Sequence, residues 1–248
     1  MKQIKINLIG VAIGLLAVAC NNDFMDRFPE TQISSETFFQ SVTNLELYTN
    51  TYYDKISTSY SDGTSDNYAS FSDASEHNNL IRGSITAATV GGWDDWGTLR
   101  RYNYLLDNVH TVSGNPEVIA HYIGLTRLMR AVWYYEQVKR YSDVPWYSNA
   151  LTDTDEDLLY KARDPRTLVV DSIMADLDYA VAHMSEDYGN RSQFSRWYAL
   201  AMQARICLHE GTFRKYHDEL DLQSTADMYI EKAATAAFDI MESGQFSI

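Results

Sequence analysis

The sequence predicts an all-α fold of antiparallel helix pairs joined by long irregular loops, and three observations predict it. From residue 93 onward, apolar side chains recur every three to four positions in one segment after another. Glycine and proline number only 12 and 4 in 248 residues, too few for a turn-rich all-β chain. Small residues (Ala180, Ala201, Ala204, Ala233 and Ala237) recur where neighbouring helices would cross. With 45% apolar and 22% charged residues, the composition is globular, and the length supports one large domain or two modest ones. A net charge of −14 argues against a nucleic-acid partner, which needs concentrated Lys and Arg.

The first nineteen residues have the export pattern: Lys2 and Lys5, then an apolar run from Leu8 to Ala19 that is short for a membrane span. Ala17-Val18-Ala19-Cys20 resembles a bacterial lipobox, so Cys20 is the expected lipidation site and the mature N-terminus. Loss of Lys2 and Lys5 takes the net charge to −16, which an anionic bilayer would repel, so acyl chains must supply the attachment. With Cys20 modified, Cys207 is the one cysteine left and no internal disulfide forms. On an apolar helix it reads as a buried small hydrophobe.

Residues 20–33 form an extended leader containing Pro29, and the helical domain occupies residues 34–248. Ser34 or Ser35 caps a short turn through Phe38 and Phe39. Thr43 with Glu46 matches a capping box ahead of a helix over 44–57 carrying Leu45, Tyr48, Tyr52 and Ile56. Residues 58–92 hold no period and read as a surface loop, a length that is usually functional inside a compact domain. Asp94 or Asp95 caps a helix over about 98–113, and Gly114 and Pro116 separate it from the strongest helix, about 117–141. Two adjacent apolar stripes there predict burial between neighbours, with Trp133, Tyr134 and Tyr135 in the core and Arg130 paired to an acid. Trp146 beside Pro145 plugs the end of that helix. Residues 149–166 are a polar connector whose acidic run (Asp153, Asp155, Glu156, Asp157) lacks the glycine and oxygen pattern of a calcium loop. Helices follow at about 167–184, at about 194–210 with a stop at Gly211, and at about 225–243 with a stop at Gly244.

Pairing 98–113 with 117–141 and 167–184 with 194–210 gives units similar to tetratricopeptide repeats. The last helix has two apolar stripes and no mate before Ile248, so a continuing or truncated chain is expected.

The leader from Cys20 to Asp26 with Pro29, the run Arg130-Ala-Val-Trp-Tyr-Tyr135, and Tyr141-Ser-Asp-Val-Pro145 resemble the SusD/RagB family of outer-membrane nutrient-binding lipoproteins. The family's glycine in the last motif is Ser142 here. Further matches fall at Ile173 to Leu177 with Ala180, at Arg191, and at Ala199 to Leu208 with Gly211. The resemblance implies a superhelix of tetratricopeptide-like units corresponding to the family's N-terminal portion. It also implies a lipid-anchored glycan-binding protein, exposed on the outer membrane, that serves a TonB-dependent (SusC-like) transporter. It implies no catalysis and no cofactor. It places a ligand-contacting Trp near the helix start at Gly91-Gly92-Trp93-Asp94-Asp95-Trp96, with Trp96 the better match and Trp93 next. Asn103 or Asn67 would supply an amide, Arg82 would bind hydroxyls, and Tyr68 is a lesser aromatic candidate.

Catalytic patterns are missing from the sequence. Asp94 and Asp95 are adjacent and diverge on a helix, unlike the facing carboxylates of a glycosidase. No His-Glu-x-x-His run, Gly-x-Ser-x-Gly elbow or phosphate-cradling glycine loop occurs. The alternative to glycan capture is a structural lipoprotein whose helical array binds a protein partner.

Overall fold

The computed structural model describes residues 38–53, 83, 86, 93, 95–186 and 193–246. The export leader, Cys20, the segment 20–33, Asn67, Tyr68 and Arg82, and nearly all of the expected loop at 58–92 lie outside the described residues. From Phe39 onward the chain is one compact unit. Its helices are α1 (Val42–Asn50), α2 (Trp96–Asn108), α3 (Pro116–Tyr141), α4 (Glu156–Leu159), α5 (Arg166–His183), α6 (Arg196–Tyr216) and α7 (Ala226–Glu242). Among the described residues, no helix is long and apolar enough to cross a membrane.

Each helix starts and stops for a local reason. Ser41, two residues before the expected Thr43, caps α1, and its N–H donates to Asn44 Oδ1 at 3.1 Å. At α3, the Asn115 side chain accepts from the Glu117 N–H at 2.9 Å while Pro116 takes the first helical position. Ser142 ends α3 at φ 61°, a region that costs an L-residue about 1–2 kcal/mol and that glycine enters freely. The glycine that the motif usually carries at this point therefore has a conformational basis. Gly211 does not terminate its helix, as α6 runs on to Tyr216. A Cβ there would lie 2.6 Å from Ile230 Cγ1 and 3.0 Å from the Ala226 carbonyl, so this glycine is a close-approach site for α7 rather than a cap.

The tight antiparallel partners are α3 with α5 and α6 with α7, one step out of register with the sequence expectation. The pairing crosses a long connector: 24 residues separate α3 from α5, yet Arg166 at the start of α5 reaches the Val138 carbonyl near the end of α3. At the other end of that pair, Gly124 sits 3.5 Å (ideal Cβ) from the Ala180 Cα. The last helix likewise has a mate, because Tyr229, Ala233 and Ala236 are buried in the α6–α7 pair. Smaller contacts between α5 and α6, α2 and α3, and α1 and α3 complete the layered stack. Of the alanines expected at crossings, Ala180 and Ala233 are buried, whereas Ala201 is exposed.

The core runs along α3, where Leu125, Leu128, Ala131, Tyr134 and Val138 are all at most 2% exposed. Trp133 and Tyr135 are buried beside them. Cys207 is buried against Met174, and burial pushes its thiol up to about 12, leaving it protonated and unreactive at neutral pH.

His121 links α3 to the end of α5, its Nδ1 accepting the Ser185 N–H at 3.0 Å. Burial lowers its pKa to about 4. The unfolded chain takes up this proton below about pH 6.5 and the folded chain only below about 4, so acidification between these values favours unfolding. The loss from this one group should reach about 3 kcal/mol at pH 4. Urea titrations at pH 7 and pH 4 should show a smaller drop for His121→Gln than for the parent chain; equal drops would refute the assignment.

Candidate functional site

The first turns of α2, with Trp93 just before it, and the connector 143–164 line a cavity of about 630 Å³. Trp93, Trp96, Tyr147, Arg100, Lys161 and Arg163 supply its aromatic and charged wall, and Leu99, Leu151 and Leu159 its aliphatic part. The size lies within the range of pockets for small organic ligands.

Asp95 occupies the N-cap position of α2, and its Oδ1 accepts from the Thr98 hydroxyl at 2.8 Å. One residue on, Trp96 is half-buried at the centre of an edge-to-face cluster. Its ring centre lies 5.2 Å from Trp93, 5.0 Å from Trp133 and 5.7 Å from Tyr147. Such packing fixes each ring at low entropic cost. Trp93 is 37% exposed and holds the Arg163 guanidinium 4.8 Å from its ring centre.

The connector is irregular in backbone yet heavily tied. The Tyr134 hydroxyl accepts the Tyr147 N–H at 2.7 Å and donates to the Pro145 carbonyl at 3.3 Å. Trp146 lies stacked on Tyr134 at 4.2 Å, two turns before the helix end it was expected to plug. Asp107 accepts from Asn149 Nδ2 and from the Ala150 N–H at 2.8 and 2.7 Å. Asp164 accepts from the Trp146 N–H and from Lys161 Nζ, both at 2.6 Å. Burial works to raise the Asp164 pKa, but these donors outweigh it and hold the carboxyl below its ordinary value.

Behind the cavity lies a buried polar hub. Arg130 forms a two-pronged pair with Asp176, Nε to Oδ2 at 2.7 Å and Nη2 to Oδ1 at 2.8 Å. Its Nη1 donates to Asn103 Oδ1 at 2.9 Å and to the Ser148 carbonyl at 3.2 Å. Asn103 passes the constraint on, donating through Nδ2 to the carbonyls of Tyr147 and Asn149 at 2.8 and 3.0 Å. It is 1% exposed, and both its amide protons are used inside the protein. The geometry thus makes Asn103 a brace for the cavity wall, where the sequence suggested an amide reaching for ligand.

Of the residues expected at a site, the structure therefore brings Trp93, Trp96 and Asn103 to one cavity. Sequence reasoning missed Tyr147, Arg100, Lys161 and Arg163. The last two lie in the connector that was expected to be solvated, and no period or motif marks them. Among the described residues, no group of three or more His, Cys, Asp or Glu side chains is arranged to hold a metal ion.

No family model matches the chain. Two curated relatives from Formosa agariphila do, SusD-like protein P2 and SusD-like protein P38, each at 24% identity. The P2 alignment covers 96% of this chain and 50% of the relative, the P38 alignment 100% and 47%. The chain thus spans about half the length of the curated relatives it matches. Among solved structures, a SusD-like carbohydrate-binding protein from Bacteroides fragilis superposes with a TM-score of 0.63 at 19% identity, over 86% of this chain and 42% of that one. A SusD homologue from Bacteroides thetaiotaomicron gives 0.64 at 15% identity, over 88% and 44%. Matches along nearly the whole sequence and a shared helical fold make the chain similar to SusD-like proteins.

Proposed function

We propose that the chain is a non-catalytic glycan-binding lipoprotein that captures oligosaccharides at the cell surface. On this reading Cys20 carries the lipid that holds it to the outer membrane, and a TonB-dependent transporter receives the captured sugar. The observation that carries the reading is the cavity at the α2 start, where two indoles and Tyr147 surround a space large enough for a short saccharide. Flat aromatic faces suit the C–H surfaces of sugar rings, and the Arg and Lys donors around them suit sugar oxygens. Relatives described as SusD-like and a solved carbohydrate-binding neighbour support the class of ligand.

Titration of the chain against a panel of oligosaccharides tests it. At least one should bind, and Trp96→Ala should weaken that binding at least tenfold while far-ultraviolet circular dichroism stays unchanged. A flat response to every glycan, or full affinity in the variant, would sink the capture reading.

One observation favours a second reading, a helical array that binds a protein. Met228, Phe238, Met241 and Phe246, on or just beyond α7, are 56% to 70% exposed, and apolar surface of this kind marks protein contacts. Co-purification of an outer-membrane protein that survives loss of these side chains would count against it.

A further inference from the structure

We infer that the cavity selects an anionic glycan, one whose sugar ring carries a carboxylate or sulfate, and that Arg163 and Arg100 hold that group. The inference rests on the reading of the cavity as a glycan site. Acidic residues outnumber basic ones 34 to 20 in the chain, yet the described residues lining this cavity include Arg100, Lys161 and Arg163 and no Asp or Glu. The local sign is opposite to that of the molecule.

The three cations are not equivalent. Lys161 is balanced by Asp164 at 2.6 Å and spends a further proton on the Trp146 carbonyl at 2.7 Å. Arg163 and Arg100 have no acidic partner among the described residues. Arg163 lies over the Trp93 ring at 4.8 Å, a contact that consumes none of its N–H donors in a hydrogen bond to an acid. Arg100 spends Nε on the Leu151 carbonyl at 3.0 Å, which fixes the side chain and leaves both terminal nitrogens.

Four acceptors near these donors each already take a hydrogen bond. The Tyr147 and Asn149 carbonyls take the Asn103 amide, and the Leu151 carbonyl takes Arg100. Asn149 Oδ1 takes the Ser148 hydroxyl. A neutral sugar presents hydroxyls that both donate and accept, so a wall of donors satisfies only half of their capacity. A carboxylate or sulfate only accepts, and a planar guanidinium matches it with two parallel bonds. The indoles then hold the ring that bears the charge.

Calorimetric titration of the full chain with two matched pairs tests this. One pair is an oligogalacturonate and its methyl ester, the other a sulfated galactan oligosaccharide and its desulfated form. The charged member of one pair should bind at least tenfold more tightly than its neutral mate, which distinguishes carboxylate from sulfate. That preference should shrink as salt rises from 50 to about 500 mM. It should also fall at least tenfold in Arg163→Gln and in Arg100→Gln, both surface changes that leave the core intact. Equal, salt-independent binding of charged and neutral members would overturn the inference and leave glycan capture standing. A charge preference indifferent to both substitutions would overturn the assignment to this cavity. Binding of no glycan at all would overturn the inference together with the reading beneath it.

Discussion

Replacing Asp176 by alanine should cost about 3–5 kcal/mol of folding stability, a large share of the 5–15 kcal/mol typical of a domain. Asp176 is 2% exposed and carries the charge opposite Arg130, which is itself 5% exposed, with Arg127 Nε a further 3.3 Å contact. Without the carboxylate, a guanidinium remains enclosed with no counter-charge, and that penalty exceeds the worth of the bonds themselves. The effect should extend to the cavity, because Arg130 is the donor that holds Asn103 and the Ser148 carbonyl in place. Urea unfolding should show the lower midpoint, and limited proteolysis should show earlier cutting within 145–151. The double change Arg130→Met with Asp176→Leu separates the two roles. It should recover most of the stability, since apolar side chains of similar volume pack where the ion pair was. The connector should stay susceptible to protease, since its donor is still missing. Recovery of both properties would show that Arg130 serves the core alone.

Glu210→Ala should be at least as damaging, because it strands two buried cations. The Glu210 carboxylate is 2% exposed and accepts from Arg166 Nη2 at 2.7 Å and from Arg214 Nε at 2.8 Å. Arg166 and Arg214 are 5% and 3% exposed. Through Val138, Phe213, Thr225 and Tyr229 these side chains tie α3, α5, α6 and the start of α7 into one cluster. The cluster is not saturated, for Arg214 Nη2 is buried without a hydrogen-bond partner among the described residues, so none of these offers a reserve acceptor for the loss of Glu210. A loss of about 3–5 kcal/mol in urea, with the α6–α7 pair opening first in hydrogen exchange, is the expected result. Uniform protection across all helices, or a loss under about 1 kcal/mol, would contradict it. The triple change Arg166→Met, Glu210→Leu, Arg214→Met should lie much closer to the parent chain.

The two buried clusters explain which parts of the fold were legible in the sequence. Apolar periodicity located α2, α3, α5, α6 and α7 and identified Trp133, Tyr134 and Tyr135 as core, because a helix that buries a face must repeat at its own period. It gave Arg130 an acidic partner without saying which, since α3 and α5 are brought together only by the turn of the connector. Gly211 was misread for a related reason. A glycine after an apolar run signals a helix end in isolation, but here a neighbouring helix needs the space a Cβ would fill. Helix pairing slipped by one step because the sequence paired neighbours of similar length, while packing between α3 and α5 is made across a connector of 24 residues.

Local order along the chain is what the sequence by itself determined: an all-helical domain, its apolar stripes, its net negative charge, and an indole pair at the start of α2. These follow from interactions a few residues apart, which any reading of the sequence can apply. The tertiary structure alone decided that the connector 143–164 folds over that helix start. In doing so it turned Asn103 inward and placed two arginines without described acidic partners beside the indoles. Bonds between residues more than forty positions apart in the chain, such as Arg130 with Asp176, hold that arrangement, and no local pattern encodes them.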